Sequence, residues 1–291
     1  MNPAPLGISR HSRSLDGSRY VYAVLSRRSK GISVGINLNP DKICNFDCIY
    51  CQVDRTVAPA VSRVDETLLA RELESTLAKA SSGSLFQAPP FDRVPEPLRR
   101  LADLAFAGDG EPTTYPRFRE VVAQVVALKR NLGLDGLKIA LLTNCTVLDR
   151  PAVRQALALL DESDGEIWAK LDAGTEQYYE TVCVPGGAKF AKILANILEA
   201  ARIRPLVIQS LFLRYRDAPP PAEEIAAFCE RLNEVTAGGG RIRGVQVYTV
   251  ARRPAAAAVS PLSDGEVDAI AEEVRRRTGL QVEAFYGSSA W

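Results

Sequence analysis

Leu101-Ala102-Asp103-Leu104-Ala105-Phe106-Ala107-Gly108-Asp109-Gly110-Glu111-Pro112-Thr113-Thr114-Tyr115-Pro116, with the stretch that follows to residue 132, decides the fold. Residues 101–107 form an apolar run of strand length. A glycine-rich turn follows, and residues 115–132 then place Phe118, Val121, Val122, Val125 and Val126 on one side of a helix. Strand, turn and amphipathic helix make one βα unit.

The same alternation extends in both directions. Upstream, residues 29–37 read as a strand in which Ile32, Val34 and Ile36 alternate. A cysteine-bearing loop follows, then a helix over 66–79 and a Ser/Pro/Gly-rich loop over 81–97. Downstream, strands are predicted over 137–142, 166–171, 206–212, 244–250 and 281–285. They are interleaved with helices over 151–160, 189–201, 222–236 and 264–277, the last closed by Gly279. Six βα units in succession imply an α/β fold with a parallel sheet and helices outside, either barrel-like or doubly wound. A strand-like stretch around 20–25 precedes them. The expected organisation is a short N-terminal extension, 1–30, covering an edge or the bottom of the sheet, and one domain over 31–291.

Composition narrows the class. The chain has 291 residues, 46% hydrophobic and 24% charged, which is globular rather than disordered. No apolar run is long enough to cross a bilayer, and the start, Met1-Asn2-Pro3-Ala4-Pro5-Leu6-Gly7, lacks the marks of a secretory signal. Lys and Arg number 36 against 35 Asp and Glu, yet residues 1–63 hold nine basic and four acidic side chains. That segment could meet an anionic partner, or be a solvated Arg-rich surface. The one histidine, His11, leaves little room for histidine-based catalysis or an imidazole-rich zinc site. Three of the six cysteines fall within residues 44–51, and Cys145, Cys183 and Cys229 are scattered. The pattern points to a metal or cluster site in a reducing compartment, hence a cytoplasmic enzyme, rather than a disulfide scaffold.

The central signal is Cys44-Asn45-Phe46-Asp47-Cys48-Ile49-Tyr50-Cys51. Three thiolates on one loop can hold three irons of a cubane and leave the fourth without a protein ligand. An electron-transfer cluster or a structural zinc would want a fourth Cys or His. None follows locally, the next cysteine being Cys145.

Cys-x3-Cys-x2-Cys with an aromatic before the last cysteine, here Tyr50, resembles the hallmark of the radical SAM superfamily. The resemblance implies a partial (β/α)6 TIM-type barrel. It also implies a [4Fe–4S] cluster on Cys44, Cys48 and Cys51, whose open iron chelates S-adenosyl-L-methionine (SAM). One electron then cleaves SAM to methionine and a 5′-deoxyadenosyl radical, which abstracts hydrogen from substrate. An external one-electron reductant, such as flavodoxin or ferredoxin, is implied too. The match runs over about residues 31–253. The stretches 35–38, 49–52 and 110–116 are similar to the branch around tRNA wybutosine-synthesis enzymes and uncharacterised bacterial relatives. Unlike those tRNA enzymes, this chain has no cysteine before Cys44.

Further positions fall where strands end, as function does in (β/α) barrels. Gly110-Glu111-Pro112 is similar to the family's Gly-Gly-Glu-Pro motif, implying a contact to the SAM ammonium group. Asp109 stands where the first glycine is usual, and a plain turn is the bland alternative. Thr143-Asn144-Cys145 stands where Thr-Asn-Gly is frequent, placing Asn144 near SAM and leaving Cys145 as a small buried hydrophobe. Lys170 and Asp172 are assigned to the SAM carboxylate and ribose hydroxyls, the alternative being an ion pair between them. Gln209 and Ser210 must point to opposite faces of their strand, and Ser210 is taken toward ribose or substrate. Tyr248 lies in the strand that contacts adenine in family members. Arg252 and Arg253 beyond it could meet an anionic substrate or stay solvated. Residues 37–42 read as a polar lip holding the cysteine loop, and Cys183 and Cys229 are expected to matter little.

Three functions follow. The first is a radical SAM enzyme acting on a nucleoside, nucleotide or tRNA, motivated by the basic N-terminal segment and Arg252/Arg253. The second is the same chemistry on a peptide, protein or small metabolite. The third is a non-enzymatic zinc- or iron–sulfur-binding module, which leaves the strand-end polar residues unexplained.

Overall fold

The computed structural model describes residues 17–254 and 256–287. Their contacts divide them into two compact units. One holds the residues up to Ile43, Ala58–Leu142 and Pro151–Glu166. The other holds Cys44–Val57, Thr143–Arg150 and the residues from Ile167 on.

In the first unit β1 (Val21–Ser26) and β2 (Gly31–Ile36) pair antiparallel from Val21↔Ile36 to Ser26↔Gly31. Tyr22 lies directly across from Gly35. A Cβ there would stand 2.1 Å from the Tyr22 ring, so only glycine fits. β3 (Leu101–Phe106) runs parallel to β2, and β4 (Lys138–Thr143) parallel to β3. Helix α1 (Glu66–Ser81) starts on an Asp65 cap that accepts the Thr67 and Leu68 N–H groups. From its middle, Glu72 accepts the Arg19, Tyr20 and Val21 N–H groups at 2.8, 2.9 and 3.2 Å and so fixes the approach to β1.

Helix α2 (Phe118–Asn131) buries Phe118, Val121, Val122 and Val125, whereas Val126 is half-buried. It starts three residues later than the periodicity suggested. Pro116 holds Tyr115 in extended backbone, ψ 127°, after a 3-10 turn over Pro112–Thr114. Helix α3 (Pro151–Asp161) completes the unit. The 81–97 loop is built from three short 3-10 turns.

In the second unit β5 (Gly165–Lys170), β6 (Leu206–Leu211), β8 (Ile242–Tyr248) and β10 (Val282–Phe285) pair parallel in that order. Helices α5 (Phe190–Ile203), α6 (Ala222–Ala237) and α7 (Asp264–Thr278) alternate with them. α7 opens on a reciprocal Ser263/Glu266 capping box and closes on Gly279 at φ +68°. Cys229 is buried within α6. Three elements go beyond the sequence reading. They are helix α4 (Glu176–Cys183), capped by Thr175, and the two-residue strands β7 (Arg214–Tyr215) and β9 (Val259–Ser260), which pair antiparallel. Among the described residues no helix is long and apolar enough to cross a membrane.

Candidate metal centre and its surroundings

The three cysteines lie on a loop of the second unit, each a free, half-buried thiol. The loop is tied to the end of α4 by its own backbone. The Asp47 N–H donates to the Val184 carbonyl and the Ile49 N–H to the Val182 carbonyl, both at 3.0 Å. Gly186 N–H returns to Asn45 O at 2.9 Å. A helix end leaves its last carbonyls unpaired, and here the cysteine loop supplies partners. Val184 reaches this geometry at φ +44°, a strained conformation for a β-branched residue. Phe46 packs edge-on against Tyr179, centroids 5.8 Å apart. The Asn45 side chain accepts from Asn144 Nδ2 at 2.8 Å and donates to Thr146 Oγ1 at 2.7 Å, so Asn144 holds the loop directly. Cys145 is buried at φ +66°, the region where glycine is at ease, which accounts for a glycine being frequent there.

Two side chains that sequence reasoning missed reach the cysteine sulfurs. Arg55 Nη1 donates to Cys51 Sγ at 3.2 Å and lies 3.6 Å from Asp47. Cys183, expected to matter little, sits opposite Cys48, because the bonds on either side of Cys48 go to Val182 and Val184. The Cys183 thiol opposite it holds Cys48 below the usual thiol range against the opposing effect of burial. Cys48, together with burial, pushes Cys183 well above that range. The sequence carried a signal only in that a cysteine preceded a Val-Pro-Gly-Gly turn; the pairing itself depends on α4.

Behind the loop Tyr50, Lys170, Asp172 and Tyr248 form one network. Lys170 Nζ is 2.8 Å from Asp172 Oδ1, so the ion pair weighed as the alternative is present. Asp172 Oδ2 accepts the Tyr50 hydroxyl at 2.6 Å, and Oδ1 also accepts the Leu211 N–H at 2.7 Å. Lys170 donates to the Tyr248 hydroxyl and stands 5.1 and 4.8 Å from the Tyr50 and Tyr248 ring centroids. Burial opposes the ammonium charge. Asp172 and Tyr248 outweigh that effect and hold Lys170 above its usual range. Burial and the Asp172 charge likewise push the Tyr50 hydroxyl well up. On β6, Gln209 donates to Gln246, its direct neighbour on β8, at 2.7 Å. Ser210 is fully buried with its Oγ unpartnered.

In the first unit, Gly108-Asp109-Gly110-Glu111 follows β3. A Cβ on Gly110 would lie 2.2 Å from the Ile43 carbonyl oxygen and 2.8 Å from the Asn39 side chain. Asp109, the departure from the usual glycine, is held by Asn37. Asn37 Nδ2 donates to the Asp109 carboxylate at 2.7 Å, and Asn37 Oδ1 accepts the Asp109 N–H at 3.1 Å. Glu111 is buried and accepts both the N–H and hydroxyl of Thr113, capping the 3-10 turn that starts at Pro112. The polar lip closes on itself through Asn37 Oδ1 to Asn39 N and Asp41 Oδ1 to Ile43 N, 3.0 and 3.1 Å.

The donor set suits an iron–sulfur group. Three free thiols share one backbone-anchored loop, and the Arg55 N–H faces the Cys51 sulfur as it would face a metal-bound thiolate. Among the described residues, no three His, Cys, Asp or Glu side chains are drawn together as a single ion requires. The structure thus brings Cys44, Cys48, Cys51, Tyr50, Asn144, Lys170, Asp172 and Tyr248 into one unit, with Ser210 beside Leu211. Gly110, Glu111 and Pro112 belong to the other.

A family model described as the radical SAM superfamily matches residues 38–215. A UPF0026 protein of Helicobacter pylori is 30% identical over 214 residues, covering 72% of this chain and 61% of that protein. One from Methanocaldococcus jannaschii is 29% identical over 159 residues, 50% of this chain and 41% of its own length. This chain thus spans less than two thirds of the length of each of these relatives. Among solved structures, a radical SAM methyltransferase from Sphaerobacter thermophilus superposes with a TM-score of 0.63 at 12% identity, covering 94% of this chain and 71% of its own. TYW1 with a lysine-pyruvate adduct bound gives 0.59 at 15% identity, covering 92% and 87%. At these identities the likeness concerns the fold, a mixed α/β partial barrel.

Proposed function

This chain belongs to the radical SAM superfamily, and from that premise we propose that it is an enzyme that cleaves SAM reductively at a [4Fe–4S] cluster held by Cys44, Cys48 and Cys51. The observation that carries the reading is the cysteine loop itself, three free thiols on a loop anchored by its backbone to α4. When bound, the cluster supplies the electron that splits SAM into methionine and a 5′-deoxyadenosyl radical. Everything else falls to the protein. Asn45 and Asn144 fix the loop, Tyr50 ties it to Asp172, and the Lys170–Asp172 pair with Tyr248 forms a polar surface behind it for the SAM carboxylate and ribose. Ser210 offers a buried hydroxyl with no other use. Gly110, Glu111 and Pro112 are read as the contact to the SAM ammonium group. Free thiols fit a cytoplasmic setting, where flavodoxin- or ferredoxin-type reductants work.

For substrate we favour an anionic molecule, a nucleotide or tRNA. Gln52, next to Cys51, reaches the Arg252 carbonyl at 3.5 Å, which brings the Arg252-Arg253 segment to the cysteine loop. Arg19, Arg27, Arg28 and Lys30 add positive charge in the 1–30 extension, while Arg10, Arg13 and His11 lie outside the described residues.

The test of the reading is anaerobic reconstitution followed by electron paramagnetic resonance. The reduced protein should show a cluster signal that changes when SAM is added, and Cys44→Ala, Cys48→Ala or Cys51→Ala should each abolish it while circular dichroism stays unchanged. One zinc per chain, no iron and no response to SAM would instead favour a zinc-binding module.

A further inference from the structure

The placement of Cys183 and Arg55 has no part in the chemistry above. The N–H groups of Asp47 and Ile49 flank Cys48 and bond to Val184 and Val182, which flank Cys183. The backbone therefore fixes the two sulfurs face to face. Cys183 is buried, 3% exposed, and it closes α4, whose last turn accepts the loop's bonds. Independently, Arg55, four residues beyond Cys51, turns back to donate to the Cys51 sulfur at 3.2 Å. Each of two cluster-ligand sulfurs thus faces a side chain that is not itself a ligand, Cys51 through the Arg55 hydrogen bond and Cys48 through the backbone register that sets Cys183 opposite it.

A donor to a cluster sulfur stabilises the state with more negative charge, which is the reduced one. We propose that Cys183 and Arg55 are positioning residues that set the reduction potential of the cluster, acting through the sulfurs of Cys48 and Cys51. The inference rests on the cluster reading above. Cys183 gives a neutral S–H donor, and Arg55 adds a positive charge, so the Arg55 contribution is the larger and responds to ionic strength. Both act in the same direction, making the cluster easier to reduce.

The experiment is a potentiometric titration, followed by electron paramagnetic resonance, of the reconstituted wild type, Cys183→Ala, Cys183→Ser, Arg55→Gln and Arg55→Lys. Iron and sulfide content and circular dichroism are recorded for each. Arg55→Gln should lower the midpoint, with about a tenfold smaller ratio of reduced to oxidised cluster at fixed potential, or about 59 mV for a one-electron couple, and Cys183→Ala should lower it by less. Cys183→Ser, whose hydroxyl still donates, and Arg55→Lys, which keeps the charge, should recover part of the shift. Equal iron content with unmoved midpoints overturns this inference alone, as does a serine variant indistinguishable from alanine. A wild type that holds no reducible cluster overturns the cluster reading and this inference with it. Should Cys183→Ala fail to fold, the serine and Arg55 variants still give the potentials that decide.

Discussion

Asp172 is where three parts of the second unit meet. Its carboxylate takes the Tyr50 hydroxyl from the cysteine loop, the Lys170 ammonium from β5 and the Leu211 N–H from β6. Removing it leaves Lys170 buried without its counter-charge and a buried N–H without an acceptor. Losing one partner of a buried ion pair costs about 3–5 kcal/mol, so Asp172→Ala should lower unfolding stability by at least about 3 kcal/mol in urea melts. Tyr50→Phe removes a single hydrogen bond to a charged acceptor and should cost about 1.5–3 kcal/mol. Equal urea midpoints for Asp172→Ala and wild type would show that the network contributes nothing to stability. These residues were legible in the sequence because charges inside an apolar strand demand partners. Their pairing with each other was legible too, but the partner from the cysteine loop was not: Tyr50 is 122 residues from Asp172, and nothing local announces the bond.

At the scale of elements, the main strands and the long helices could be read, and α4, β7 and β9 could not. β2, α1 and α7 were visible from alternation, caps and the closing glycine. α4 has eight residues, too few for a helical period to emerge, yet it carries Cys183 and anchors the cysteine loop. The start of α2 was misplaced because Pro116 keeps its neighbour extended, a local effect that a side-chain period does not register. Glu72 is a similar case. It sits in the middle of α1, yet it serves the backbone at the entry to β1. Glu72→Ala should lower stability by about 1–2 kcal/mol and speed hydrogen exchange at the Tyr20 and Val21 amides. Unchanged exchange there would show that other groups hold that edge.

For the whole molecule, the formal charge of +1 conceals basic side chains gathered toward the N-terminus and near residue 252. If tRNA is the substrate, its binding should weaken steeply with salt, and Arg253→Ala should reduce the slope of log K against log salt by about 1. Salt-independent or absent binding would remove tRNA and leave a smaller anionic substrate. Composition supplied this expectation, because net charge and its distribution need no fold to be read. The cysteine triplet supplied the proposed cofactor chemistry in the same way. What sits next to each sulfur emerged only from the backbone pairing.

The most direct measurement is product formation by the anaerobically reconstituted, reduced protein supplied with SAM. The account predicts about four irons per chain and the appearance of 5′-deoxyadenosine and methionine, both lost in Cys48→Ala. A fully loaded, reducible cluster that leaves SAM intact would contradict it.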